Sequence, residues 1–199
     1  MSDQPPSGKR DGDGRDPENR RGRGKARRPF RQPGRRPGRG PASAPARSRG
    51  SIGLAAVGGG DFELVHPRGV EEVELDVDEG LELWKAGDPE SARDALRYAL
   101  SACHDNLRAH VALGRIALED FRDPALARGH FGYAVELGLR ALPPGFSGRL
   151  PRDRPSNRSF FDALEGLIAC FEATGRKGEV TSLRAQIDRL TKGPGRSGP

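Results

Sequence analysis

The sequence predicts an all-α chain, a stack of helical hairpins behind a basic N-terminal tail. Three observations predict it. Gly80 and Leu83 stand three residues apart, Gly114 and Ala117 repeat that relation 34 residues later, and the pairs Ala92/Leu96 and Ala127/Phe131 recur at a separation of 35. That is the length of a helix–turn–helix repeat. An Asp–Pro pair restarts a helical pattern twice, at Asp88–Pro89 and Asp123–Pro124. Charge is also partitioned. Residues 1–50 carry 15 Lys/Arg against 5 Asp/Glu, a net of +10, while residues 51–199 carry 19 against 23, a net of −4.

The first fifty residues offer almost nothing a core could use. Phe30 is their one aromatic, and Gly, Pro, Arg, Ser and Asp make up most of the rest. Little apolar burial is available to offset the entropy of ordering such a chain, so this stretch is expected to be disordered. Residues 51–60, SIGLAAVGGG, read as a flexible linker that closes the tail at residue 60, with Ile52, Leu54 and Val57 able to dock. Residues 61–76 read as an extended lead-in packed on the first hairpin. Two small strands turning at Pro67 and Gly69 are the alternative, disfavoured because an isolated ribbon is marginal. Glu71, Glu72, Glu74, Asp76, Asp78 and Glu79 form an acidic run there, a solvated face or a contact for basic segments.

The repeat domain is placed at 61–192. Val77, Leu81 and Trp84 fall at i, i+4, i+7, and Gly87 ends that helix. Asp88–Pro89–Glu90 supplies a cap, a proline at the first helical position and an acidic first turn for a second helix through Ala92, Leu96 and Ala99 to about Cys103. A third helix runs from Leu107 through Ile116 and Leu118, and a fourth from Leu126 through Leu137. Gly80 and Gly114 stand where a helix crosses its partner closely, with Ala92/Ala99 and Ala127/Ala134 as the facing small residues. Leu142–Pro143–Pro144–Gly145 stops the fourth helix, and residues 143–158 read as a loop pinned by Phe146 and Leu150. A fifth helix follows from Phe160 to Phe171, with Gly166 in the position of Gly80 and Gly114. A sixth carries Val180, Leu183, Ile187 and Leu190 under a polar outer face, as a capping helix should. Residues 193–199 read as a flexible C-terminus.

Leu113–Gly114 with Ala127 and Phe131, and the weaker sets at Gly80 and Gly166, resemble the tetratricopeptide repeat family. The place that family gives to a leading aromatic holds Asp76, His110 and Asp162. The resemblance spans roughly residues 73–190. It implies a right-handed superhelical α-solenoid whose first helices line a concave groove that binds a protein or peptide. The groove positions it implies include Val77, Leu81, Trp84 and Lys85, then Arg108, Val111, Arg115 and Leu118, then Phe160, Ala163, Leu167 and Phe171. The full Lys/Asn/Arg set with which some members clamp a terminal carboxylate is absent. Arg108 and Arg115, seven apart on one helical face, suit an acidic segment.

Nothing in the sequence calls for catalysis. His66, His104, His110 and His130 include no i, i+4 pair, and adjacent Cys103 and His104 point apart on a helix. A metal site from Cys103, His104 and His130 is the weakest reading. The Gly58–Gly60 run lacks the lysine of a phosphate loop, and no serine sits in a nucleophile elbow. No metal, cofactor or enzymatic activity is expected. Two lone cysteines, Cys103 and Cys170, indicate buried thiols rather than a disulfide framework. No run of some 20 apolar residues is present for a membrane span, and the polar, acidic start lacks a secretory signal's apolar core. Cytoplasmic location is the expectation. The alternative function lies in the tail. Arg21, Arg23, Lys25, Arg27 and Arg28, then Arg35, Arg36 and Arg39, give charge density suited to nucleic acid or ribosome contact, phosphate-directed and salt-sensitive. With only Phe30 to stack on bases, such contact would not read sequence.

Overall fold

Asp88 and Asp123 do what the Asp–Pro restarts predict. In the computed structural model, which describes residues 51–193, the Asp88 carboxylate accepts from Ser91 N–H at 3.0 Å, and Asp123 accepts from Ala125 and Leu126 N–H at 3.1 and 2.9 Å. Each side chain satisfies donors that a helix start leaves free. Asn106 caps a third helix through Ala109 N–H at 3.1 Å. The chain runs β1 (Gly53–Gly58), β2 (Asp61–Val65), α1 (Gly69–Glu72), α2 (Glu74–Lys85), α3 (Pro89–Ala102), α4 (Leu107–Glu119), α5 (Pro124–Arg140), α6 (Pro155–Ala173) and α7 (Lys177–Lys192). It is predominantly helical. α2/α3, α4/α5 and α6/α7 are antiparallel pairs, and the pairs stack through α3 on α4, α4 on α6 and α5 on α6. This is a helical-repeat arrangement. The expectations of a disordered tail over residues 1–50 and a flexible end over 194–199 lie outside the described residues.

The glycines stand where the helices cross. A Cβ on Gly80 would meet Leu96 Cγ at 2.7 Å, and one on Gly114 would meet the Phe131 ring at 2.7 Å. A Cβ on Gly166 would run into the same Phe131 ring from the next pair, and one on Gly138 into Phe160. Two buried clusters result. One joins Val77, Ala92, Leu96 and Ala99 to Leu113 and Ile116. The larger gathers Phe131, Phe160, Phe161 and Leu164 with Leu64, Leu150 and Leu190. Cys103 lies in the first and Cys170 in the second, both free, and burial pushes both thiols up.

Three expectations need correction. Residues 51–60 are not simply a linker, because Gly53–Gly58 form β1, paired antiparallel with β2 from Gly53↔Val65 to Gly58↔Asp61. Ile52 and Leu54 do dock on the larger cluster. Residues 61–65 are therefore half of a ribbon, not an unpaired lead-in. Their partner precedes them, and the segment after them turns into α1 instead. Gly59 and Gly60, at φ 61° and 81°, make the tight turn that only such backbone freedom allows. Finally, α6 begins at Pro155, five residues before the predicted Phe160.

The ribbon holds because it is anchored. Asn157, fully buried on α6, accepts from Leu64 N–H at 2.9 Å and donates to Phe62 O at 3.1 Å and Pro151 O at 2.9 Å. Arg149 adds a backbone bridge to the other side of the turn, donating to Gly60 O at 2.9 Å and accepting from Phe62 N–H at 2.8 Å. Its guanidinium pairs with Asp61 at 2.5 Å. Phe146 meets Phe62 edge-on at 5.1 Å, and Leu150 is fully buried, so the 143–154 loop is pinned as its apolar residues predict.

Two stability outcomes follow. Gly114→Ala should cost about 1–3 kcal/mol by overpacking against Phe131, whereas Gly129→Ala, where a Cβ meets nothing within 4 Å, should be neutral or gain up to ~1 kcal/mol. Chemical denaturation of the two variants checks this, and equal effects would refute the crossing argument. Asn157→Leu strands a buried backbone N–H and two partly buried carbonyls. It should cost roughly 2–4 kcal/mol and raise amide exchange selectively in β1 and β2.

Candidate functional site

Three helices each contribute one face to a groove. α2 supplies Leu81 and Trp84, and α4 supplies Arg108, Val111, Ala112 and Arg115 at i, i+3, i+4, i+7. The start of α6 supplies Pro155, Arg158, Ser159 and Asp162. They enclose a pocket of ≈ 300 Å³. Trp84 is half-buried. It packs against the first cluster while its indole N–H donates to Asp120 at 2.7 Å, which fixes the ring at the pocket wall.

The charges in the groove are unevenly matched. Arg108 pairs with Asp78 at 2.6 Å, and Arg115 with Asp162 at 3.5 Å. Asp162 is shared with Arg152 at 4.0 Å, and Arg152 binds Glu165. The hydrogen bond from Arg152 holds the Glu165 carboxyl below its ordinary range. Arg158 has no ion-pair partner among the described residues. The lining therefore presents three guanidiniums and one carboxylate above an apolar floor. Partly exposed pairs of this kind contribute little to stability, so a ligand can exchange them at small cost.

Of the groove positions expected from sequence, Trp84, Arg108, Val111 and Arg115, together with Leu81, meet in the pocket. Lys85 does not line it and extends into solvent paired with Glu82 at 2.7 Å. Phe160 and Leu167 belong to the core, not the groove. Phe160 is fully buried with its ring over Gly138, and Leu167 packs in the same cluster. Val77 and Ala163 are buried as well, Leu118 packs on the larger cluster, and Phe171 sits under the Arg176 guanidinium. A helix start at Phe160, as the apolar spacing predicts, leaves Pro155, Arg158 and Ser159 in what reads as loop. Asp162 was visible, at the repeat position shared with Asp76 and His110. The basic residues Arg21 to Arg39 lie outside the described residues.

A larger cavity, ≈ 720 Å³, opens between the ribbon turn, the 143–149 loop and the end of α7. Its cations are already matched, Arg149 to Asp61 and Lys192 to Asp188 at 3.0 Å, and its walls are mostly glycine and proline backbone. It offers fewer recognition groups than the groove. No group of three or more His, Cys, Asp and Glu among the described residues is placed to hold a metal ion. No described helix is long and apolar enough to cross a membrane.

Three of the four histidines, His104, His110 and His130, gather elsewhere, between α4, α5 and the turn before α4, while His66 bonds Ser156 O at 2.8 Å. His110 Nε2 donates to His104 O at 3.0 Å, so its Nδ1 must accept, and His130 Nδ1–H donates to it at 3.3 Å. Tyr133 OH bonds His104 Nδ1 at 2.8 Å and lies 3.4 Å from Asp105. Burial, with smaller repulsion from His130 and His104, pushes His110 down from 6.5 to about 4. Burial and Arg97 push His130 down as well. His110 is therefore a neutral packing group at physiological pH.

No family model, curated protein or solved structure matches this chain.

The His110 shift sets a pH dependence. Between 6.5 and about 4 the unfolded chain binds a proton that the folded chain refuses, so stability is full above 6.5 and falls as pH drops through that window. The loss should approach ~3 kcal/mol, and His110→Gln should flatten it. Denaturation midpoints measured across that pH range check the sign. An unchanged slope in the variant would contradict it.

Proposed function

We propose that the chain is a non-catalytic scaffold of the tetratricopeptide-repeat type that binds an extended protein segment in the α2–α4–α6 groove. The observation that carries this reading is the groove's composition. It has an apolar floor of Leu81, Trp84, Val111 and Ala112 under three arginines, only two of which have acidic partners among the described residues. That combination suits a peptide with an apolar anchor and a nearby acidic group, which would satisfy Arg158 and compete with Asp162 for Arg115. The glycine-centred crossings at Gly80, Gly114 and Gly166 support the repeat assignment. Free buried thiols suit a reducing, cytoplasmic setting.

The tail supports a second reading. Its +10 over fifty residues suits contact with nucleic acid or a ribosome surface. Salt separates the two, since phosphate-driven binding falls steeply with ionic strength and groove binding depends on apolar contact as well.

Trp84 is the chain's single tryptophan, so its fluorescence reports on the groove. Titration with acidic, aromatic-containing peptides should shift that emission. Arg158→Glu should weaken binding about tenfold, at about 1.4 kcal/mol, while reversing Arg35 and Arg36 should leave it unchanged. Loss of all partners on deleting residues 1–50 would sink the scaffold reading.

A further inference from the structure

No strand or loop among the described residues pairs with the outer edge of β1, and the ladder fixes which of its groups face outward. Leu64 N–H donates to Asn157 and Phe62 N–H donates to Arg149 O, both away from β1. Leu54↔Leu64 and Ala56↔Phe62 are therefore the pairs of the ladder that are not hydrogen-bonded to each other. The N–H and C=O groups of Leu54 and Ala56 must then point away from β2. None of these four groups has a hydrogen-bond partner among the described residues. The opposite edge of the ribbon, on β2, is covered by Arg149 and Asn157.

Exposed edges are ordinarily guarded by charge or proline. β1 reads GLAAVG and has neither. We propose that this edge is an interface for a second copy of the chain, joined antiparallel through β1 into a four-stranded sheet. The register is self-complementary. The outward groups straddle Ala55, so a two-fold axis through Ala55 pairs Leu54 of each copy with Ala56 of the other and makes four backbone hydrogen bonds. The side chains meeting on the axis are two methyl groups. Charge favours the same arrangement. Glu63, paired across from Ala55 on β2, stands three strand spacings from its counterpart, about 14 Å, beyond the screening length at physiological salt. Antiparallel pairing also sets the two Ser51 residues, each preceded in sequence by fifty residues of net +10 charge, at opposite ends of the β1–β1 pair, where parallel pairing would bring them together.

Sedimentation equilibrium of the full chain, from micromolar to millimolar, tests the interface. A concentration-dependent dimer is expected. Ala56→Pro removes an outward donor without touching the β1–β2 ladder, so it should weaken the dimer roughly 30-fold while circular dichroism and the thermal midpoint hold. Ala55→Lys places an ammonium from each copy at the axis. Its dimer should be weaker still at low salt and recover as salt rises. If Ala56→Pro fails to fold, the salt response of Ala55→Lys decides. A single-chain mass at millimolar concentration would overturn the proposal, as would a dimer indifferent to both variants, or a monomer whose Leu54 and Ala56 amides are protected by an added foreign peptide.

Discussion

The ring of Phe131 fills a gap that exists only because Gly114 on α4 and Gly166 on α6 carry no side chains. From α5 it reaches both its own hairpin partner and the first helix of the next pair. A methyl on either glycine would occupy the ring's space, and close-packed interiors have none to spare. The α4/α5 pair therefore stacks on α6/α7 at a separation set by one aromatic thickness. Leu96 over Gly80 does the same, with less bulk, for the first pair. Once those crossings are fixed, α2, α4 and α6 must lie side by side, and the residues left facing out from that row form the groove. Arg108, Arg115 and Arg158 are brought together by helix packing rather than by contact with one another.

The ribbon depends on the stack in turn. Two strands alone are marginal, and β1, GLAAVG, is mostly glycine and alanine. They persist because Asn157 offers both an acceptor and donors from a fully buried position at the start of α6. The same residue ties down the 143–154 loop through Pro151 O, so one amide side chain joins the start of α6 to the loop just before it and to a strand more than ninety residues away. Burying it is affordable because its bonds are made. Its satisfied network also positions the first turn of α6, from which Arg158, Ser159 and Asp162 enter the groove.

The histidine cluster shows how the packing between helices accepts a polar ring. His110 lies on the inner face of α4 and is buried there, 6% exposed. A neutral imidazole packs as a flat ring, and its two nitrogens are absorbed by His104 O and His130. The cost is confined to acid, where the ring would have to take a proton it cannot solvate.

Much of this architecture was legible in the residues. The 34–35 spacing, the Asp–Pro caps and the glycine–alanine crossings are local or periodic signals, and they locate six main helices and set Trp84, Arg108, Val111 and Arg115 on one side of the stack, where they line a common pocket. What the sequence could not determine were features whose cause lies far along the chain. β1 has weak strand propensity and becomes a strand only by pairing with β2, which Arg149 and Asn157 anchor from far along the chain. The first turn of α6 looks like loop because Pro155 and Arg158 have no apolar period. Phe160 and Leu167 were assigned to the groove because a helical repeat says which residues share a stripe, but not which neighbouring helix that stripe will meet. Periodicity fixes a residue's angle around its own axis. Only the packing of one axis against the next decides whether that angle faces core or solvent.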